Sequence, residues 1–188
     1  MAQGIILAGG FSSRIGMNKM TLPFRDKPLI CQTIASMAPS VSQIFVVTGH
    51  YHDDINRAIK DIPNVTVIYN PNHSLGMFTS VLAGIEHVSE DVFIIPGDYP
   101  LVQASTYHLL LNAIGIQRVP TFQGRRGHPL FITKPLVEAL KVEPKESNLK
   151  AFRNRYNLAL VETNDPGILI DIDTIEDHQS LLGHEERI

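Results

Sequence analysis

The chain has 188 residues, of which 44% are hydrophobic and 19% charged, a balance that excludes intrinsic disorder and lets about 70% of the unfolded surface be buried without disulfides or metals. Sixteen Lys and Arg stand against 19 Asp and Glu, for a net charge of −3, which argues against non-specific binding to nucleic acid or to an anionic membrane. The single cysteine, Cys31, cannot pair internally and fits a reducing compartment, while the first ten residues hold too short an apolar core for a signal peptide and no run approaches a membrane span. A soluble, cytoplasmic, globular protein is expected.

Apolar runs at 4–8, 43–48, 65–69 and 92–96, rich in Ile, Val and Phe, read as parallel strands buried on both faces. Helical periodicity lies between and after them: Ile30, Ile34 and Met37; Phe78, Val81, Leu82 and Ile85; Tyr107, Leu110, Leu111 and Ile114. Four successive β–α units predict an α/β, doubly wound, mostly parallel sheet, with ligand-binding loops along the carboxyl edge of its strands. After residue 115 the pattern is less regular, with strands expected at 118–122, 129–132, 158–161 and 169–170 and a last helix over 174–182. Nothing divides the chain, so residues 1–188 read as one domain. Cys31 falls among apolar neighbours and is expected in the core. His50, His52 and His73 are scattered, with no zinc-site spacing.

Residues 7–19 read L-A-G-G-F-S-S-R-I-G-M-N-K and follow the first strand. Glycines let the main chain approach a ligand, successive amides form a nest for anionic oxygens, Ser12 and Ser13 add neutral donors, and Arg14 and Lys19 supply charge for a polyphosphate. Neither the Walker spacing nor the dinucleotide fingerprint is present. Pro23 and Pro28 prevent a long helix from starting directly after the loop. Further on, Asp98 follows Gly97 at the end of the fourth strand, suited to Mg²⁺ facing phosphate oxygens or simply to opening a turn before Pro100. Asn70 to Ser80 lead into a helix, where Thr79 and Ser80 could cap. Arg125, Arg126 and His128 lie between and after glycines, in either a cationic loop for an anionic acceptor or a solvated hairpin, and His128 could equally be structural. Asp171, Asp173 and Thr174 precede a helix entry at which Asp173 or Thr174 would cap.

These motifs resemble those of the MobA-like NTP transferases, which share the nucleotide-diphospho-sugar transferase fold, Rossmann-like and single-domain. The pattern L-A-[AG]-G-x-S-x-R-[MI]-G-x-x-K is filled from Leu7 to Lys19. G-D-x-P is filled by Gly97, Asp98 and Pro100, and N-P-x-x-x-x-G-x-x-[ST]-S runs from Asn70 to Ser80. G-x-x-G-H-P is filled through Gly127, His128 and Pro129, and D-[IV]-D-T-P-E-D is matched except that Ile175 replaces proline. The resemblance implies phosphate contacts from Leu7, Ala8, Gly9, Gly10, Ser12, Ser13, Arg14 and Lys19, and nucleoside contacts from Asn70, Gly76 and Ser80. It implies Mg²⁺ on Asp98 with Asp171 or Asp173, catalysis by Lys19, Arg14 and Asp98, and acceptor contacts from Arg125, Arg126 and His128. The implied reaction joins a nucleoside monophosphate to the terminal phosphate of a molybdopterin-type cofactor, with onward transfer by transient contact with a molybdoenzyme or its chaperone. Leu7 to Gly10 look like the guanylyltransferase branch, whereas Gly127-His128-Pro129 and Asp171 to Thr174 look like the cytidylyltransferase branch, so CTP is preferred and GTP is second. A sugar-phosphate nucleotidyltransferase is disfavoured by the chain's length, and a non-catalytic nucleotide- or cofactor-binding module by the paired carboxylates.

Overall fold

A computed structural model describes residues 1–12 and 16–185. Strand β1 (Ala2–Ala8) is followed by a glycine loop, a 3-10 turn at Lys19–Thr21 and a small antiparallel ribbon of β2 (Pro23–Phe24) and β3 (Lys27–Pro28). Helix α1 (Leu29–Met37) starts only after Pro28, as the two prolines require. There follow β4 (Val41–Thr48), α2 (His52–Ile59), β5 (Val65–Tyr69), α3 (Met77–Ile85), β6 (Val92–Pro96) and α4 (Ala104–Asn112), completing the four expected β–α units. The remainder comprises β7 (Gln117–Phe122), β8 (Arg125–Arg126), β9 (Leu130–Ile132), α5 (Lys134–Lys141), α6 (Leu149–Arg153), β10 (Leu158–Glu162) and α7 (Ile175–Glu185).

The main sheet has the order β5-β4-β1-β6-β9-β7-β10, with β8 paired to β7. Strands β5, β4, β1 and β6 are mutually parallel, so the loops that follow them share one edge. β9 runs antiparallel to both β6 and β7, and β10 is parallel to β7. Alternation along the central strands explains their unbroken apolar runs: Ile6, Ile44, Val46, Phe93 and Ile95 join one core with α1, α2 and α4. Ile5, Phe45, Val47, Val92 and Ile94 join the other with α3, α5 and α6. Gly84 of α3 lets that helix lie close on the sheet, since a Cβ there would sit 2.9 Å from Ile5 and Val47 methyls. Cys31 is buried in the first core, as expected.

Two expectations are corrected. Residues 169–170 are not a strand: Asp165 caps a 3-10 turn at Pro166–Leu169, accepting from the Gly167 amide at 2.9 Å, and Ile168 is buried beneath it. Ile114 lies beyond α4 and is 93% exposed, because the chain turns away after Asn112. The Arg118 guanidinium accounts for this ending by donating to the carbonyls of Leu110, Leu111 and Gly115 at 2.6, 3.1 and 2.8 Å. No helix among the described residues is long and apolar enough to cross a membrane.

Candidate active site

A cleft of about 390 Å³ opens at the carboxyl edge of β1 and β6. Its lining includes Leu7, Gly9, Gly10, Lys19, Gly76, Ser80 and Asp98, which lie in three separate sequence segments. Main-chain bonds hold these segments together. The Gly97 amide donates to the Leu7 carbonyl at 2.9 Å, and the Thr33 hydroxyl to the Gly97 carbonyl at 2.9 Å, so the turn carrying Asp98 is fixed to β1 and α1. Ser12, with φ +48°, accepts at its hydroxyl from the Lys19 amide at 3.4 Å. Asn18 caps the 3-10 turn by accepting from the Met20 amide at 3.1 Å. The glycine loop thereby delivers Lys19 back toward the strand edge. Ser13 and Arg14 lie outside the described residues.

Lys19 is the electrostatic hinge of the cleft. Its ammonium donates to Asp98 Oδ2 at 2.5 Å and to Asp173 Oδ1 at 3.0 Å. Burial alone would push its pKa down, but the two carboxylates outweigh that and hold it above the ordinary lysine value. Asp98, Asp171 and Asp173 each offer a carboxylate oxygen within 4.8 Å of the others. Asp98 Oδ1 is buried and has no hydrogen-bond partner. An acceptor-only oxygen left bare beside two more carboxylates fits a hard divalent cation such as Mg²⁺ or Mn²⁺.

The two tail carboxylates arrive together. The Ile172 amide donates to the Asp98 carbonyl at 3.0 Å and its side chain is fully buried, so alternation turns both Asp171 and Asp173 away from the core. Thr174 is the cap of α7: its hydroxyl accepts from the Asp177 amide at 3.0 Å, and Asp177 accepts in return from the amides of Thr174 and Asp173 at 2.8 and 3.1 Å. Capping by Thr174 leaves the Asp173 carboxylate to Lys19. Tyr99, beside this cluster, is pushed up to about 12, first by burial and then by the charges of Asp171, Asp98 and Asp173.

Across the loop after β5, the helix α3 starts at Gly76, whose φ of +111° favours glycine. Neither Thr79 nor Ser80 caps it. Thr79 lies 2.8 and 2.9 Å from the Gly76 and Asn72 carbonyls, and the buried Ser80 accepts from Asn70 Nδ2 at 3.0 Å. Asn70 is itself buried, bonding Thr79 and Ser80 and accepting from the Asn72 amide at 2.9 Å, so it positions the segment and does not line the cleft. Ala8 is buried in the core and likewise absent from the lining.

Sequence reasoning did not single out Phe11, Met20, His73 and Pro96, which also line the cleft. Phe11 and His73 stack at 5.3 Å, and folding brings the scattered His50 to 6.3 Å from His73, although no third metal-ligating side chain joins them among the described residues. Gly49 allows this meeting, because a Cβ there would lie 2.5 Å from the His73 side chain and 2.6 Å from the Gly9 carbonyl.

The third group of expected residues lies on the β7–β8 hairpin. Arg125 and Arg126 are exposed in β8, which pairs with β7. Gly127 is pressed against the Pro166–Leu169 turn, its Cβ position only 2.3 Å from the Ile168 carbonyl, so the segment is docked and not free to swing. His128 donates its amide to Ile168 at 3.0 Å and stacks its ring 4.5 Å from Tyr99. Burial, then the Arg153 charge, push His128 down to about 4, opposed by Asp171.

Comparison with known proteins bears on the family and the fold. Residues 4–160 match the MobA-like NTP transferase domain. The chain is 29% identical over 175 residues to a molybdenum cofactor cytidylyltransferase of Escherichia coli, covering 92% of this chain and 91% of that one. It is 30% identical over 155 residues to a probable molybdenum cofactor guanylyltransferase of Bacillus mycoides, covering 77% and 76%. In fold it matches a nucleotidyl transferase from Methanothermobacter thermautotroptrophicus with a TM-score of 0.81 at 22% identity, covering 100% of this chain and 98% of that one.

Proposed function

Since the chain belongs to the MobA-like NTP transferase family and is a nucleotidyltransferase, we propose that it transfers CMP from CTP to the terminal phosphate of a molybdopterin-type cofactor and releases pyrophosphate. The observation that carries this reading is the placement of Lys19 between Asp98 and Asp173 at the wall of the glycine-loop cleft. A triphosphate lies along the amides of Leu7 to Gly10, with Ser12, Ser13, Arg14 and Lys19 meeting its oxygens. Gly76 and Ser80 face the nucleoside, and Asn70 holds the Ser80 hydroxyl in place. Mg²⁺, held by Asp98 with Asp171 and Asp173, would neutralise phosphate charge and leave the α-phosphorus open to attack.

An acceptor phosphate oxygen attacks the α-phosphorus, forming the new P–O bond as the bond to pyrophosphate breaks. Lys19 and Arg14 stabilise the departing pyrophosphate, and Arg125, Arg126 and His128 hold the acceptor. Positioning and charge neutralisation suffice, so no covalent enzyme intermediate is involved. Residues 1–188 act as one domain in the cytoplasm, and the product passes on by transient contact with a molybdoenzyme or its chaperone. A second reading, transfer of GMP from GTP, is favoured by the Leu7-Ala8-Gly9-Gly10 opening of the loop. Pyrophosphate release measured with molybdopterin, Mg²⁺ and each of CTP, GTP, ATP and UTP separates them. CTP is expected to give the largest kcat/KM, GTP dominance would choose the second reading, and absence of release with every nucleotide would overturn both.

A further inference from the structure

The tail aspartates reach the cleft on a segment that needs holding at both ends. Buried Ile172 anchors the upstream end. Downstream the chain enters α7, and among the described side chains of that helix, residues 175–180, His178 alone is buried. His178 stands one position beyond the tail motif, and no motif singles it out. Its Nε2 lies 2.6 Å from the Pro23 carbonyl, 155 residues away in the sequence. A carbonyl only accepts, so Nε2 carries the ring proton and donates it.

Both ends of this bond are fixed to charged groups of the cleft. Pro23 follows the 3-10 turn that carries Lys19. The Leu22 amide donates to the Lys19 carbonyl at 3.3 Å, the Leu29 amide donates to the Leu22 carbonyl at 2.8 Å, and Phe24 is fully buried. The Pro23 carbonyl therefore keeps its place relative to Lys19. On the other side the His178 amide donates to the Thr174 carbonyl at 3.2 Å, and the Asp177 carboxylate accepts from the amides of Asp173 and Thr174. Little more than one helical turn joins the His178 ring to Asp173.

The two segments are thus tied at two points, Lys19 to Asp173 at 3.0 Å and His178 to Pro23. The first tie is made of groups whose partners change when phosphate or metal enters the cleft. The second uses neither the ammonium nor a carboxylate and survives that exchange. A carboxylate that must be ordered each time a metal binds loses affinity to the ordering, and a second tie removes that loss.

We propose that His178 is a positioning residue, which clamps α7 onto the β2–β3 ribbon and so holds Asp173 in place for a divalent cation. The use made of the cation rests on the transferase reading, and the clamp does not.

The test is Mn²⁺ binding to the full chain without nucleotide, followed by loss of the free-ion electron paramagnetic resonance signal. Saturable binding is expected in the wild type. His178→Leu, which keeps the buried bulk and removes the donor, should weaken Mn²⁺ about tenfold, and His178→Gln, whose amide nitrogen can reach the same carbonyl, should recover most of the loss. His178→Met replaces the leucine variant if that fails to fold. In turnover the leucine variant should lower kcat about tenfold with little change in the KM for CTP, since the nucleotide's own contacts lie on the glycine-loop side. Equal Mn²⁺ affinity in the wild type and the folded leucine variant, equal losses in the leucine and glutamine variants, or no Mn²⁺ binding by the wild type would each overturn the clamp. Failure of the wild type to release pyrophosphate while His178-dependent Mn²⁺ binding persists would remove the transferase reading and leave the clamp standing.

Discussion

On the proposed triphosphate side, Lys19 and Asp98 are delivered by loops leaving two adjacent parallel strands, β1 and β6, while on the proposed acceptor side Arg126 and His128 come from a two-residue strand and the segment that follows it. The first side is built on backbone continuity, since each group follows a strand whose position the sheet dictates. The second depends on docking of irregular segments against one another. In the proposed reaction, nucleotide chemistry thus rests on the regular half and acceptor recognition on the irregular one.

The sharpest way to break this contrast is at Asp98. Asp98→Asn should lower kcat/KM about 10³-fold, roughly 4 kcal/mol of transition-state stabilisation, with the far-UV spectrum and melting temperature nearly unchanged. Activity within tenfold of wild type would detach the carboxylate from the chemistry. On the acceptor side the largest effect is on stability. Because the folded His128 sits near 4, below its unfolded value of 6.5, the unfolded chain takes up the proton first as pH falls. The stabilisation is complete above pH 6.5 and is lost between there and about pH 4, amounting to roughly 3 kcal/mol. Urea denaturation at pH 7 and 4.5 measures it, and His128→Gln should flatten that part of the profile.

Smaller effects follow from the loops. Gly127→Ala forces a methyl against the Ile168 carbonyl and should cost about 1–3 kcal/mol in the same assay, because backbone cannot move aside cheaply. Gly10→Ala, whose added Cβ meets nothing within 4 Å, should change stability by less than about 0.5 kcal/mol. Equal costs at the two glycines would mean that the hairpin is not docked as described. A loss of about 1 kcal/mol in thermal denaturation is expected at the α7 cap for Thr174→Ala, which should also loosen Asp173.

The same contrast explains what could be read beforehand. The strand at 92–96 was legible to the residue because both of its faces are covered, and a doubly covered strand is written as an unbroken apolar run; that at 65–69, a half-buried edge strand, was legible from its β-branched and aromatic residues. The glycine loop, Asp98 and the paired tail aspartates were legible as motifs because their spacing is local. Helices α2, α5 and α6 were not. Ile55 and Ile59 carry the buried face of α2 alone, and α6 has only Phe152. Leu169 and Ile170 are apolar enough for a strand, but Asp165 and Pro166 start a tight turn first. Arg153 and Gly49 gave no signal at all, and His73 only a scattered one, since each acquires its setting only when distant segments meet. Isolated polar residues take their meaning from such neighbours.

One hydrogen bond, from the Ile172 amide to the Asp98 carbonyl, has a bearing on how the protein comes into being. The glycine loop and the four mutually parallel strands β1, β4, β5 and β6 all precede Asp98 in the sequence. Asp171 and Asp173 are made 73 and 75 residues after Asp98 and are brought to the cleft by that contact, by burial of Ile172 and by the Lys19–Asp173 bond. A chain made only as far as Asp98 therefore holds one of the three carboxylates of the cluster. The three-carboxylate cluster is complete only once residue 173 has been made.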